Sequence, residues 1–323
     1  MTKKFDIVTI GDCLVDHYIE PEDFKIIGSG TGKKLALNFA QKIPARHFIM
    51  FPGGNALNVA VGTRRLGLAT AIMTDIGLQD ESELVFNRIT KEGIDTALVQ
   101  RRKATETDKS VVFVTRGERT AITYHCKKNY QFNPKFQSKW IYLTSLGIGF
   151  ERIYAGVEKY KKSHSAKVAF NPGSRQLKHS LEKVRKMIHV CDLLFVNLPE
   201  ARMITGKKTN DAKILMRQLF FMGSSRVVIT DGSKGAFAFD GDLNYRIGSF
   251  PAKRIDATGA GDAFASSFIS AIIQGKVLSE AMLWGSINAA SEIGHRGVQN
   301  GLLDKTEIQK ILAKSKKYLA KKF

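Results

Sequence analysis

The sequence predicts an α/β protein: a parallel sheet covered by helices on both faces, with a small β-sheet flap over one edge. Three observations carry that expectation. Apolar, strand-like runs alternate with longer amphipathic runs along most of the chain. Two stretches break the rhythm with strands that have no helix between them, and such strands do not belong to a doubly wound core. No internal repeat and no long disordered linker interrupts the pattern.

In chain order, "FDIVTIG" reads as a buried strand and "NALNVAVGTRRLG" as a helix with Leu57, Ala60, Val61 and Leu66 along one side. "TAIMTDIG" is a strand, and "ESELVFNRITKEG" a helix ended by Gly93. "WIYLTS" leads into the helix "GFERIYAGVEKYKK", "KVAFNP" into "RQLKHSLEKVRKMI", and "DLLFVN" into a short helix near "PEARMIT". The helix "DAKILMRQLFFMG" feeds the strand "RVVITDG". The flap gathers residues 15–20, 44–52 ("PARHFIMFP") and 107–125 ("TDKSVVFVTRGERTAITYH"), with "RGER" as a hairpin turn. Segment 21–46 is the least patterned, and "NFAQKI" within it suggests a short helix. "GSGTGKK" at 28–34 reads as a flexible loop: a P-loop would need glycine and a hydroxyl residue where Ile27 and Lys34 stand. All 323 residues are read as one domain with the flap strands inserted in it.

Totals narrow the class. Hydrophobic residues make up 43%, enough for a sizeable core, and no apolar run approaches the ~18 residues of a membrane span. The opening "MTKKFDIVTIGDCLVD" is broken by Asp6, Gly11, Asp12 and Asp16, so it is not a signal peptide. Cys13, Cys126 and Cys191 form no CxxC pair, which argues against a disulfide framework or zinc site and for a reducing cytoplasm. Fifty basic residues against 30 acidic give a net charge of +20, but they are scattered and show no basic-aromatic interleaving. Nucleic acid therefore ranks last among partners. The final "KSKKYLAKKF" reads as the solvated face of a last helix.

"DATGAGDAFASSF", Asp256 to Phe268, sets glycines and a carboxylate at the start of an alanine-rich helix. A helix start exposes unpaired N–H groups and the positive end of its dipole, and glycines let an anion reach those amides. Phosphate is the natural guest. A carboxylate beside it, Asp262, suits orienting and deprotonating a hydroxyl that attacks phosphorus. Asp262 as a plain helix cap is the bland alternative. In "FPGGNALNVAVGTRRLG", Gly53 and Gly54 precede a helix carrying Asn55 and Asn58 one turn apart, a clamp for a polyhydroxylated ligand. Here the alternative is Asn55 as N-cap with Asn58 solvated.

Together, "GGNALNVAVGTRRLG" and "DATGAGDAFASSF" resemble the two signatures of the ribokinase-like, or PfkB, carbohydrate kinase family, in the same order and separation and over essentially the whole chain. The resemblance implies a Rossmann-like three-layer α/β/α sandwich with a β lid, ATP and Mg²⁺ as cofactors, and a homodimer formed through the lid. It casts Asp262 as catalytic base and Gly259, Ala260 and Gly261 as the anion hole. Asp16 in "GDCLVD", with Gly53, Gly54, Asn55 and Asn58, would hold the substrate. "NLPE" gives Asn197 and Glu200 near Mg²⁺ and phosphate. "ITDGSKGAF" gives Thr230, Gly232 and Gly235 as a nucleotide loop, and "INAASEIGHRG" gives Asn288 on the adenine side. Asn197 and Glu200 as helix caps, and "DGSKG" as an ordinary turn, are the alternatives. Asp256 and Thr258 resemble contributors to a monovalent cation (K⁺) site, although Gly301 stands where ribokinases often have a side-chain oxygen.

The implied activity is ATP-dependent phosphorylation of an alcohol group on a small sugar. "TRGERT" and "NVAVG" lean toward sugar kinases, whereas the 37 positions between Asp16 and Gly53 resemble adenosine-type nucleoside kinases. A sugar-binding sensor without catalysis is a further alternative, against which the intact "GAGD" argues.

Overall fold

The computed structural model describes residues 3–115 and 118–323. In chain order the strands are β1 (Lys4–Ile10), β2 (Leu14–Pro21), β3 (Lys25–Ile27), β4 (Lys34–Ala36), β5 (Ala45–Gly53), β6 (Thr70–Ile76), β7 (Val99–Arg101) and β8 (Asp108–Thr115). They continue as β9 (Glu118–Tyr124), β10 (Gln137–Leu143), β11 (Lys167–Phe170), β12 (Leu193–Asn197), β13 (Val227–Thr230), β14 (Ala236–Phe239), β15 (Asn244–Ile247) and β16 (Lys321–Lys322). The helices are α1 (Asn55–Arg65), α2 (Asp80–Lys91), α3 (Glu151–Ser163), α4 (Ser174–His179), α5 (Leu181–Val190), α6 (Leu198–Thr205), α7 (Ala212–Phe221), α8 (Ala260–Ile273), α9 (Leu278–Ile293) and α10 (Lys305–Ala313).

The main sheet runs β16-β15-β14-β13-β12-β11-β10-β1-β6-β7. From β13 to β7 every pairing is parallel, as the strand–helix alternation requires. Successive strand residues point to opposite faces, so each strand feeds two cores. Val8, Leu194 and Val227 pack with residues of α3 to α7 on one face. Ile7, Leu193 and Val228 pack with α8, α9 and α10 on the other, where α1 and α2 extend the layer through Leu57, Val85 and Ile89. The result is the three-layer α/β/α sandwich.

The flap is a second sheet, β5-β2-β8-β9, in which β2 leaves the main sheet directly after β1. Along β9 the pleat turns Ala121 and Thr123 toward a cavity and Ile122 and Tyr124 outward to solvent.

Several local expectations are corrected. "RQLKHSLEKVRKMI" is two helices, because Ser180 leaves helical geometry and accepts a hydrogen bond from the Lys183 amide as the N-cap of α5. "NFAQKI" forms a turn, and "GSGTGKK" lies in a β3–β4 hairpin with a 3₁₀ turn at Gly30–Gly32. The C-terminal lysine run does not extend α10; it ends as β16, pairing antiparallel with β15 at the sheet edge. That edge, β14 to β16, carries too few residues per strand to show periodicity in sequence. Two residues of the expected "RGER" turn, Arg116 and Gly117, lie outside the described residues.

Candidate active site

Two helix starts create the site. Before α1, Gly54 has φ +98°, and a side-chain carbon there would come within 2.5 Å of the Asp12 carbonyl oxygen. Before α8, Gly259 has φ +79°. Both conformations suit glycine. The helices themselves lie close: a side-chain carbon on Gly62 would stand 2.6 Å from Ser266 Cβ.

This approach brings α1 against the first turn of α8. Asn55 Nδ2 donates to Asp262 Oδ1 at 2.9 Å, and Asn58 Nδ2 donates to Oδ2 at 2.8 Å. The amides are themselves oriented. Ser145 Oγ donates to Asn55 Oδ1 at 3.1 Å, and Gln299 Nε2 donates to Asn58 Oδ1 at 2.8 Å. Asn55 is therefore not an N-cap, since Gly54 holds that position, and Asn58 is buried, not solvated. Asp262 caps nothing with its side chain; Gly259 is the N-cap of α8. Burial lifts the Asp262 carboxyl to about 6, while the Asn58 and Asn55 donors and the Arg119 charge oppose that rise.

Asp262 sits between two cavities. One, about 390 Å³, opens toward the flap and is lined by Asp16, Gly54, Asn58, Ser110 and Thr258 among others. The other, about 500 Å³, lies over the strand ends and is lined by Asn197, Glu200, Thr230, Gly232 and Gly261 among others. Asn55, Arg119, Ser145, Gly259 and Asp262 face both. In open α/β sheets this end of the strands is where ligands gather.

The remaining expected residues divide. Asp16 accepts a short hydrogen bond from Ser110 Oγ, and burial raises its carboxyl above the usual range. Gly53 makes room for it, since a side-chain carbon would stand 2.5 Å from Asp16 Oδ2. Asn197 and Glu200 close a reciprocal capping box on α6, each bond 2.9 Å, with Pro199 in the first turn; Glu200 lines the second cavity nonetheless. Gly235 lines neither cavity; its missing side chain makes way for the Ile247 carbonyl. Asn288 also lies outside both. It is fully buried, donating to the Ala263 carbonyl at 3.2 Å and accepting from the Leu303 amide at 2.9 Å. Ala260 lies in the first turn of α8. Asp256 accepts from the Thr258 amide and hydroxyl at 2.9 and 2.6 Å and from the Gly297 amide at 3.3 Å.

Asp12, Asp108 and His125 line the first cavity without any sequence signal, and Lys128 and Tyr130, outside its lining, hold them. Lys128, its side chain 1% exposed, places Nζ 2.9 Å from Asp12 Oδ1 and 3.0 Å from Asp108 Oδ1. Tyr130 Oη donates to Asp12 at 2.6 Å, and His125 Nδ1 lies 2.7 Å from Asp108 Oδ2. Asp12, Asp108 and His125 are close enough to grip a metal ion, but the ammonium of Lys128 already bridges the two acids. The two carboxylates in turn hold the lysine above its usual range. The participants come from positions 12, 108, 125 and 128, and in sequence Lys127-Lys128 looks like ordinary surface charge. Arg119 and Arg175 also line this cavity.

A carboxylate thus stands at a glycine-rich helix mouth, between one cavity under a flap and another over the strand ends, an arrangement suited to moving a group between two small molecules. Comparison with known proteins agrees. Residues 4–305 match the pfkB family carbohydrate kinases, and the chain belongs to that family. A bifunctional ribokinase/ribose-5-phosphate isomerase A of Fructilactobacillus sanfranciscensis is 26% identical over 343 residues, covering 98% of this chain, which spans 60% of that protein's length. A nucleoside kinase of Methanothermobacter thermautotrophicus is 24% identical over 315 residues, 96% of each chain. The structure of Arabidopsis thaliana ribokinase complexed with ribose and ATP is similar in fold, with a TM-score of 0.79, 20% identity, and coverage of 95% of this chain and 98% of that one.

Proposed function

We propose that this PfkB-family kinase transfers the terminal phosphoryl group of ATP to an alcohol group of a small sugar held under the flap. The observation that carries the reading is the place of Asp262, shared by both cavities at the start of α8. The acceptor hydroxyl lies in the first cavity, where Asp262 aligns it and takes its proton. A carboxyl near 6 is mostly ionised at neutral pH yet basic enough to accept a proton in the transition state. Asn55 and Asn58 each bind one carboxylate oxygen, so the proton-accepting lone pairs have a fixed direction. Gly259, Ala260 and Gly261 offer backbone amides to the migrating group; one such donor is worth roughly 3–4 kcal/mol. Asp16, backed by Ser110, holds acceptor hydroxyls, with Gly53 giving it room.

ATP occupies the second cavity, against Thr230 and Gly232. Mg²⁺ bound with it would be held near Glu200 and Asn197, largely through water, and would neutralise phosphate charge. Glu200 fits that duty because its cap hydrogen bond uses only Oε2. Asn288 and Gly235 support the nucleotide side from behind, by packing. Asp256 and Thr258 are the proposed contributors to a K⁺ site.

A sugar is favoured over a nucleoside because no Phe, Tyr or Trp lines the first cavity among the described residues; apart from the His125 imidazole its polar walls include Asp12, Asp16, Asn58, Asp108, Ser110, Arg119, Thr123 and Arg175. Nucleobases are commonly gripped by stacking, hydroxyl-rich ligands by such polar groups. The flap carries the proposed homodimer contact, supported by Phe48, Met50, Ile122 and Tyr124 exposed on its edge strands. Among the described residues no helix is long and apolar enough to cross a membrane. The three cysteines are free, in keeping with the proposed reducing cytoplasm. Acceptor-dependent ADP release across a panel of sugars and nucleosides tests the reading; release with none of them would overturn it.

A further inference from the structure

We infer that Glu81 is a positioning residue for the acceptor: it fastens the flap to the core and, through His17 and Ser110, sets where Asp16 stands. The inference rests on reading the first cavity as the acceptor site. Asp16 and His17 are consecutive on β2, so the pleat sends their side chains to opposite faces of the flap sheet. Asp16 lines the first cavity, and the His17 ring turns away from it toward α2. There His17 Nε2 lies 3.0 Å from Glu81 Oε1, and Nδ1 lies 3.2 Å from the Ser110 carbonyl oxygen. Ser110, level with Asp16 on the neighbouring strand β8, donates its hydroxyl to Asp16 Oδ1. A continuous path thus runs from Glu81, in the first turn of α2, through His17 and Ser110 to the cavity wall.

Each link has a direction. Carboxylate and carbonyl oxygens only accept, so the imidazole satisfies both partners by donating from both nitrogens. The other Glu81 oxygen, Oε2, lies 2.5 Å from Lys109 Nζ, next to Ser110 on β8. Lys109 and then His17 hold the Glu81 carboxyl below its usual range, so it is ionised at neutral pH. One carboxylate therefore grips both strands that carry Asp16 and Ser110. The two grips differ in reach. The Lys109 side chain is 41% exposed, and exposed ion pairs contribute little. The His17 side chain is only 13% exposed, lies against the Phe48 ring at 5.9 Å between centroids, and contacts the Ser110 backbone. The imidazole is the arm through which Glu81 acts. Asp16 and its donor Ser110 both belong to the flap, so their distance from Asp262 in α8 depends on how the flap is fastened.

Two readouts on the full chain test this, one of them independent of turnover. Glu81→Gln keeps the side-chain shape but removes the charge. It should raise KM for the acceptor about tenfold while leaving KM for ATP, and kcat at saturating acceptor, unchanged within about twofold. His17→Gln should give the same split and the double variant no more, whereas Lys109→Met should leave both KM values in place. Should Glu81→Gln fail to fold, His17→Gln carries the test. Hydrogen exchange of the unliganded protein should quicken at β2 and β8 in Glu81→Gln and stay unchanged at α1 and α8. Exchange unchanged in the flap, or quickened equally in flap and core, overturns the proposal. An acceptor KM that does not move, or a fall in kcat equal to the rise in KM, overturns it as well. If no sugar or nucleoside elicits ADP release, the kinase reading falls, and the exchange pattern still decides whether Glu81 fastens the flap.

Discussion

Asn58 Nδ2 binds Asp262 Oδ2 at 2.8 Å across 204 positions of sequence. The family's two glycine-rich segments are thus joined through the side chain expected to take the proton, and an amide expected to grip substrate grips the base. Four expectations test what that arrangement does.

Asp262→Asn should lower kcat by roughly 10²–10⁴, the range of a positioned general base, with the fold intact. The same variant reports on stability. The folded carboxyl is raised from 3.8 to about 6, so the native state binds more protons than the unfolded chain between those values. This group therefore costs stability as pH rises from about 4 to 6, on the order of 3 kcal/mol by full ionisation. Urea unfolding at pH 4 and pH 7 should show the wild type losing stability relative to Asp262→Asn. The opposite sign would refute the buried, raised carboxyl.

Asn58→Leu should move the acidic limb of the kcat–pH profile upward, because the amide is the largest influence holding the Asp262 carboxyl down against burial. Gln299 Nε2 keeps its bond to the Pro52 carbonyl, but Asp262 Oδ2 loses its donor, and one unsatisfied buried polar group costs about 1–3 kcal/mol. A limb left in place, measured with saturating acceptor, would separate Asn58 from the base.

Lys128→Met should destabilise the protein by about 3–5 kcal/mol, since it leaves two buried carboxylates, Asp12 and Asp108, without their cation. The wall of the first cavity then shifts, so KM for the acceptor should rise more than KM for ATP. Equal changes in both would mean that the network supports the whole fold, not the acceptor side.

Ile122→Lys, at an outward position on β9 that is 64% exposed, should halve the solution mass measured by light scattering if flaps pair. Wild-type protein running as a monomer at micromolar concentration would exclude the homodimer.

Much of this was legible in sequence. Alternating patterns placed β1, α1, β6 and the parallel core because each strand there is buried on both faces and reads as a continuous apolar run. Gly259 to Asp262 announced itself because few contexts favour glycines followed at once by a helix. What stayed hidden depends on distant partners. Nothing local marks Lys128 as buried, because its neutralising acids lie at positions 12 and 108. Nothing local marks Glu81 either, since His17 and Lys109 meet it only once the flap lies against α2. Asn288, set on the adenine side by the resemblance, has its amide tied to α8 and to the loop at Leu303, partners that no local pattern announces.

Asp16 rides on the flap strand β2, whereas Asp262 is anchored in a core helix. The proposed acceptor site is thus divided between the flap and the core, so a change in the placement of the flap would change the separation of the two acids.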